Sequence, residues 1–279
     1  MKGLIIAAGY GTRFLPVTKT IPKEMLPIIN KPSIDFIIEE FIASGITEIV
    51  LMTSRRKKVL DDYFDREIEL ETLFTQENNQ VKLKLIEPPA VNIITVRQSR
   101  MLGTGHALLQ AKEAIGDEPF IVAYPDDLHM GKTPLSKQLI DMYDKTGCSV
   151  MATMHNPPNL ERYGVLALDE DNLHVTGIIE KPEPGKEPSK EATIGRYLYT
   201  PDIFEYLQEG WDKHTTGEYF HVYALQRLMD QKRVVFTPIE GERLDTGSPE
   251  GYLRTIIAYA KQDPALAKIL KEESASIHL

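Results

Sequence analysis

The sequence predicts an α/β fold with a mixed, mostly parallel central sheet flanked by helices, and a second, smaller lobe. Three observations predict it. Short apolar runs alternate with helix-spaced segments through the first half, the pattern of a parallel sheet covered on both faces. After Asn156-Pro-Pro158 the pattern changes to short strands broken by a Pro- and Lys-rich stretch, Lys181 to Lys190. A chain of 279 residues with 42% apolar side chains can fill one sizeable core.

Taken in order, Lys2 to Ala8 reads as a buried first strand, since it is short, apolar and closed by Gly9, Gly11 and Pro16. A long loop leads to Ser33, a candidate cap for a helix carrying Ile34, Ile37, Ile38, Phe41 and Ile42 at helical spacing and stopped by Gly45. Ile46 to Thr53 is the second strand. Lys57 to Asn79 is charged and helix-forming, a surface excursion before the strand Ile93 to Arg97. Gly105 to Ile115 and Leu135 to Tyr143 are helical, with the strand Pro119 to Tyr124 between them, ending at Asp126-Asp127, and Cys148 to Met154 after them.

In the second lobe, Tyr163 to Leu168, Val175 to Glu180 and Thr193 to Tyr199 read as strands. Helices are expected at Asp202 to Gln208 and Glu218 to Gln231, then a strand from Arg233 to Pro238, a turn-rich Glu240 to Pro249 and a single terminal helix from Glu250 to about Glu273, followed by a frayed tail. No repeat, low-complexity tract or flexible linker interrupts the chain, so one domain is expected: a first half over about 1–156, a lobe over about 157–248 and a carboxy-terminal helix over about 249–273.

Composition narrows the function. Against 32 basic residues stand 41 acidic ones, a net charge of −9 that argues against a nonspecific nucleic-acid binder. The lone cysteine, Cys148, excludes an intrachain disulfide and any multi-cysteine metal cluster, and reads as a core thiol in a reducing compartment. No run of about 18 apolar residues suits a membrane span, and Leu4 to Ala8 is too short for a signal-peptide core, so a cytoplasmic protein is expected.

The most informative stretch is Ala7-Ala-Gly-Tyr-Gly-Thr-Arg13 followed by Pro22-Lys-Glu-Met-Leu-Pro27. Gly9 and Gly11 let backbone amides approach a phosphate chain, Arg13 offers a planar fork of donors and Lys23 a point charge. Residues 1–31 hold five basic side chains and one acidic one, so positive charge is concentrated where the glycines are. A dinucleotide fingerprint fails because Phe14 stands where glycine is needed, and Gly-Lys-Ser/Thr never occurs. No His-Glu-x-x-His or Gly-x-Ser-x-Gly motif occurs either, and the run Ser54 to Lys58 reads as a solvated face.

That string resembles the signature of the sugar-1-phosphate nucleotidylyltransferases, and its Pro22-Lys-Glu-Met-Leu-Pro27 version looks like that of their bacterial branch acting on UTP and glucose 1-phosphate. The resemblance continues through Val96-Arg-Gln98, Gly103-Thr-Gly-His-Ala107, Asp126-Asp127, Tyr163-Gly-Val165, Ile179-Glu-Lys-Pro182, Gly195-Arg-Tyr197 and Leu244-Asp-Thr-Gly247. It implies a GT-A-like nucleotidyltransferase fold with a Rossmann-like nucleotide half and a sugar-binding lobe. It also implies a reaction that joins UTP and glucose 1-phosphate into UDP-glucose and pyrophosphate, and a homo-oligomer, dimer or tetramer.

Carried onto these positions, Ala8, Gly9, Gly11, Gln98 and Gly103 are expected at the nucleotide, and Arg13, Lys23 and Lys181 at the reacting phosphates. Gly164, Glu180, Lys181 and Gly195 are expected at the sugar. The amide of Gln98 can pair with a base edge, and Gly103 is expected to leave room for the base plane. Asp126 and Asp245 are expected to share Mg²⁺, which takes one or two carboxylates and fills its other positions with phosphate oxygens and water. Asp127 is the rival ligand, and Asp245 read alone is a turn aspartate. His106 receives no catalytic role.

One segment departs from the family. Gly217-Glu-Tyr-Phe-His-Val-Tyr-Ala224 stands where relatives read Gly-Glu-Ile-Gln-Leu-Thr-Asp-Ala, so Val222 and Tyr223 replace a polar pair. This leaves open another sugar 1-phosphate or dTTP as substrate; a noncatalytic nucleotide-sugar sensor is a separate alternative, against which the presence of Arg13, Lys23, Asp126 and Asp245 together argues. The carboxy-terminal helix, with Ile256, Ile257, Tyr259 and Ala260, is expected to offer an apolar face to a partner subunit.

Overall fold

The computed structural model describes residues 1–276. Strand β1 (Lys2–Ile6) is buried on both faces, with Leu4 and Ile5 fully enclosed on opposite sides. Each such aliphatic side chain contributes about 1.5–3 kcal/mol. Residues 7–32 form a loop of three single 3₁₀ turns and a short hairpin, β2 (Pro27–Ile28) with β3 (Lys31–Pro32). Helix α1 (Ser33–Ala43) follows. Ser33 does not cap it: Pro32 holds the cap position, and the Ser33 hydroxyl donates to the Glu24 carbonyl at 3.1 Å.

Next come β4 (Glu48–Thr53), a helical excursion of α2 (Lys58–Phe64), α3 (Ile68–Gln76) and α4 (Gln80–Leu85), and β5 (Asn92–Arg97). Then α5 (Thr104–Ile115), β6 (Phe120–Ala123), β7 (Asp127–Met130), α6 (Leu135–Thr146) and β8 (Ser149–His155) complete the first half. The second contains β9 (Gly164–Leu168), β10 (Val175–Glu180), β11 (Glu191–Tyr199), α7 (Ile203–Lys213) and α8 (Val222–Met229), then β12 (Val234–Pro238), β13 (Glu242–Asp245), α9 (Pro249–Ala260) and α10 (Pro264–Ser276).

Nine strands form one mixed sheet. Its path is β10-β9-β11-β6-β1-β4-β5, with β8 joined to β11 and β12 to β8. From β6 to β5 every ladder is parallel, and the antiparallel pairings all involve β11 or join β9 to β10. Two apolar clusters cover the faces, one around Leu4, Phe120 and Tyr199, the other around Ile5, Ile34 and Leu128. At their carboxyl ends β1, β4, β5 and β6 release the glycine loop, the turn Arg55–Lys57, Gln98 and Tyr124 to Asp126 on one edge, where parallel sheets form ligand crevices.

Three further expectations change. The strand that was to end at Asp126-Asp127 is followed at once by β7, which pairs antiparallel with β13 from the segment read as turns, Asp245 opposite Asp127. The single terminal helix is two. Pro264 cannot donate a backbone hydrogen bond, and the Asp263 carboxylate accepts from the Ala265 and Leu266 amides to start α10. Helix α10 continues through Ser276, and the remainder of the predicted tail lies outside the described residues. Finally, the α9 face meant for a partner packs on the protein's own core: Ala260 is buried and Tyr259 meets Phe36 with centroids 4.6 Å apart.

Candidate active site

Four predicted residues converge. Lys23, in the turn Lys23–Met25, places Nζ 2.5 Å from Oδ2 of Asp126 at the end of β6. Arg13 donates from Nη1 to the Gly247 carbonyl at 3.2 Å. A methyl carbon added at Gly247 would lie 2.9 Å from Oδ2 of Asp126, 3.0 Å from Oδ1 of Asp245 and 3.4 Å from Nη1 of Arg13. Two carboxylates and a guanidinium therefore face one point. The Thr246 amide donates to the Asp126 carbonyl at 2.8 Å, which ties the carboxy-terminal turn to the end of β6.

Asp126 and Asp127 face different surroundings. Asp127 is buried, with Oδ1 accepting from Arg243 Nε at 2.7 Å and Oδ2 from the Gly195 amide at 2.8 Å. Burial pushes its carboxyl above the usual range, and the Arg243 guanidinium opposes that shift. Behind it, Arg196 is 1% exposed, donates from Nη2 to the Asp127 carbonyl at 3.1 Å and pairs with Glu40 of α1. Asp127 is a buttress, and Asp126 is the carboxylate turned to the cleft.

Beside this corner lies a cleft of about 370 Å³ lined by Ala8, Gly9, Gly11, Lys23, Gln98, Gly103 and Asp126 among others. Gln98 is buried, and its Nε2 donates to the Gly103 carbonyl at 3.1 Å and lies 3.0 Å from Nδ1 of His106. Burial lowers the pKa of His106, and because an amide nitrogen only donates, Nδ1 of the ring is the acceptor in this contact. Among the described residues the side-chain carbonyl of Gln98 has no hydrogen-bond partner. Gly103 lines the cleft and also carries a constraint from packing. Its φ is +96°, and a Cβ there would sit 2.4 Å from the Tyr219 carbonyl, so the missing side chain makes room for backbone.

The sugar-lobe residues sit apart from that cleft. Gly164 and Glu180 are register partners of β9 and β10, and Oε1 of Glu180 lies 2.9 Å from where a Gly164 Cβ would be. Lys181 follows with φ +48°, a conformation rare for a side-chain-bearing residue, its amide donating to the Tyr163 carbonyl at 3.0 Å. Gly195 was expected against the sugar, yet its open face meets Asp127 and Tyr124.

Sequence reasoning missed Tyr124, Thr104 and Glu218, which also line the cleft, and Arg243, which anchors Asp127. Arg243 stands two residues before Asp245, but only the β13–β7 ladder reveals its target. The departing segment is stitched to the cleft. The Tyr219 amide donates to the Leu102 carbonyl at 2.7 Å, the Gly105 amide donates to the Tyr219 carbonyl at 2.9 Å, and the Thr104 hydroxyl lies 3.1 Å from Nδ1 of His221. Tyr223 turns to α7, where its hydroxyl donates to Glu209 and lies 2.8 Å from Lys213 Nζ, and Val222 is half exposed.

A glycine hairpin at the first strand end, opposed by paired carboxylates on a mixed sheet, defines a nucleotide-handling transferase. The chain belongs to the nucleotidyl transferase family, whose model matches residues 2–262. It is 40% identical over 276 residues to the UTP–glucose-1-phosphate uridylyltransferase of Staphylococcus epidermidis, covering 97% of this chain and 96% of that one. Among solved structures it resembles a UDP-glucose pyrophosphorylase complexed with UDP-glucose (TM-score 0.79, 38% identity, 94% of this chain and 99% of the other). It also resembles the UTP-bound enzyme of Acinetobacter baumannii (TM-score 0.87, 30% identity, 99% of each chain).

Proposed function

We propose that this protein transfers the uridylyl group of UTP to glucose 1-phosphate, giving UDP-glucose and pyrophosphate. The observation that carries the reading is the meeting of Arg13, Lys23, Asp126 and Asp245 around Gly247 at the mouth of the nucleotide cleft. The full-length likeness to uridylyltransferases supports the same choice of substrates.

The base lies against Gly103 and Ala8, and the free side-chain carbonyl of Gln98 accepts from uracil N3–H. Cytosine offers an acceptor at that position and leaves the buried carbonyl unpaired. Triphosphate crosses Gly9, Gly11, Arg13 and Lys23, while glucose 1-phosphate docks at Gly164, Glu180 and Lys181, its hydroxyls on the carboxylate and its phosphate on the ammonium. Gly195 contributes indirectly, by seating Asp127 behind the sugar lobe.

A phosphate oxygen of glucose 1-phosphate attacks the α-phosphorus in line. One P–O bond forms, the bond to the β-phosphate oxygen breaks, and pyrophosphate leaves with its electron pair. The attacking oxygen is already anionic, so no general base is required. Alignment and fixed positive charge from Arg13, Lys23 and Lys181 supply the acceleration.

Asp126 and Asp245 are the residues that would hold Mg²⁺, since their hard carboxylate oxygens meet on either side of Gly247, and among the described residues no larger cage of His, Cys, Asp and Glu competes. When bound, the ion would neutralise triphosphate charge. No helix among the described residues is long and apolar enough to cross a membrane. The reading places the enzyme in the cytoplasm, as a homo-oligomer whose remaining exposed apolar residues include Leu253 and Ile269.

Pyrophosphate release over a matrix of nucleotides and sugar 1-phosphates, with and without Mg²⁺, tests the reading. UTP with glucose 1-phosphate should dominate and require the ion. Preference for dTTP would replace the nucleotide assignment, and tight UDP-glucose binding without turnover would replace catalysis by sensing.

A further inference from the structure

We propose that Lys57 is a positioning residue for Lys23, acting through Glu24. The inference rests on the reading of Lys23 as the cation that meets the triphosphate. Lys23 and Glu24 are neighbours in one 3₁₀ turn, Lys23–Met25, and they point to opposite sides. Lys23 faces the cleft and Asp126, whereas Glu24 is 1% exposed and faces the floor. There Oε1 of Glu24 accepts from Lys57 Nζ at 2.7 Å, and Lys57 is itself only 5% exposed. The Glu24 carbonyl is held by the Ser33 hydroxyl. The turn is thus pinned from below by a side chain and from behind by α1.

Stability alone gives little reason for such a pair. Burying two opposite charges costs desolvation that their attraction rarely exceeds, and apolar residues of similar volume would hold the floor as well. The pair is also incompletely satisfied, because Oε2 of Glu24 finds no hydrogen-bond partner among the described residues. What the pair does is fix a direction. Lys57 lies beneath the glycine loop, bordering a cavity of about 20 Å³ with Gly9, Tyr10 and Ser54. From there it sets the height and rotation of the turn from which Lys23 projects. Burial draws the Lys57 amine below its ordinary value, the Glu24 charge works against that, and Lys23 and Asp126 both lie within its field. The run Ser54 to Lys58 is therefore not wholly a solvated face: Arg55, Arg56 and Lys58 are exposed, and Lys57 turns inward.

The test is a kinetic double-mutant cycle on the full-length protein, with the thermal midpoint measured alongside. Lys57→Met should lower kcat by about 10- to 100-fold, the scale of a slightly misplaced catalytic group, with KM for glucose 1-phosphate unchanged. Lys57→Arg should recover much of the rate. Glu24→Gln combined with Lys57→Met removes both buried charges, so the thermal midpoint should return towards wild type while kcat stays low. In a Lys23→Ala background, Lys57→Met should cause no further loss. Full additivity of those two changes, or a wild-type rate in the charge-free double variant, would overturn the positioning role. An undiminished rate for Lys23→Ala alone would instead overturn the reading of Lys23, and this inference with it.

Discussion

Lys23 and Asp126 are 103 residues apart in the chain, yet Nζ of the first lies 2.5 Å from Oδ2 of the second. The contact joins the loop after β1 to the end of β6, two strands that are parallel neighbours. A cation and a carboxylate are thereby held side by side before any substrate arrives. Charge developing on a phosphoryl group meets groups that need not reorganise, which is the most effective form of electrostatic catalysis.

The two adjacent aspartates should separate cleanly. Asp126→Asn is expected to lower kcat about 100-fold with little change in unfolding free energy. Asp127→Asn should destabilise the fold by roughly 3 kcal/mol, because the Arg243 guanidinium loses its buried carboxylate partner. Urea unfolding and steady-state kinetics on both variants check this, and equal stability losses would contradict the assignment of Asp127 as a buttress.

Gly247→Ala places a methyl group between the Asp126 and Asp245 carboxylates. The neighbours are flexible side-chain ends, so the fold should survive while the carboxylates draw apart. Apparent affinity for Mg²⁺, titrated through activity, should weaken by about 10-fold, within the range of other changes behind metal ligands. An unaltered Mg²⁺ titration would exclude these two residues as its ligands.

At Gly103 the strain falls on backbone. Alanine there must adopt φ near +96° and press on the Tyr219 carbonyl, an expected loss of about 1–3 kcal/mol. KM for UTP should rise while KM for glucose 1-phosphate stays close to wild type. The measurement is a pair of saturation curves on the purified variant.

His221 gives the fold an acid-sensitive contact. Burial lowers its pKa from 6.5 to about 4, so the folded ring stays neutral where the unfolded one takes a proton. Between those values the unfolded state binds more protons, and stability therefore rises with pH across that window and is lost as pH falls through it. The loss should be of the order of 3 kcal/mol. Unfolding curves of the protein and of His221→Leu from pH 4 to 7 should diverge most at the acid end, with the variant flatter.

Much of the site was legible because its chemistry is written locally. Gly9, Gly11, Arg13 and Lys23 fall within fifteen residues, and the terminus of a short apolar strand marks Asp126 without reference to the rest of the chain. Val175–Glu180 was read to the residue, since alternation and flanking turns bound it. The Asp263-Pro264 break was also visible and was overlooked, because the apolar spacing on either side suggested one continuous helix.

Other features had no local signal. Lys57 and Arg56 are adjacent cations of similar propensity, and nothing in their neighbours says which one meets Glu24. Arg243 and Asp127 stand 116 residues apart, and their pairing exists only once β13 lies along β7. The packing constraints at Gly103 and Gly195 had no local signal either, since the atoms that would crowd a side chain there come from Tyr219 and Asp127. Residue types and their spacing were enough to determine the fold class, the cationic loop and the choice between rival nucleotide motifs, because those follow from hydrophobic period and backbone freedom. Which carboxylate faces the cleft, which lysine is buried and where each apolar helix face packs were decided by tertiary structure, because burial and long-range pairing arise from the whole chain's packing.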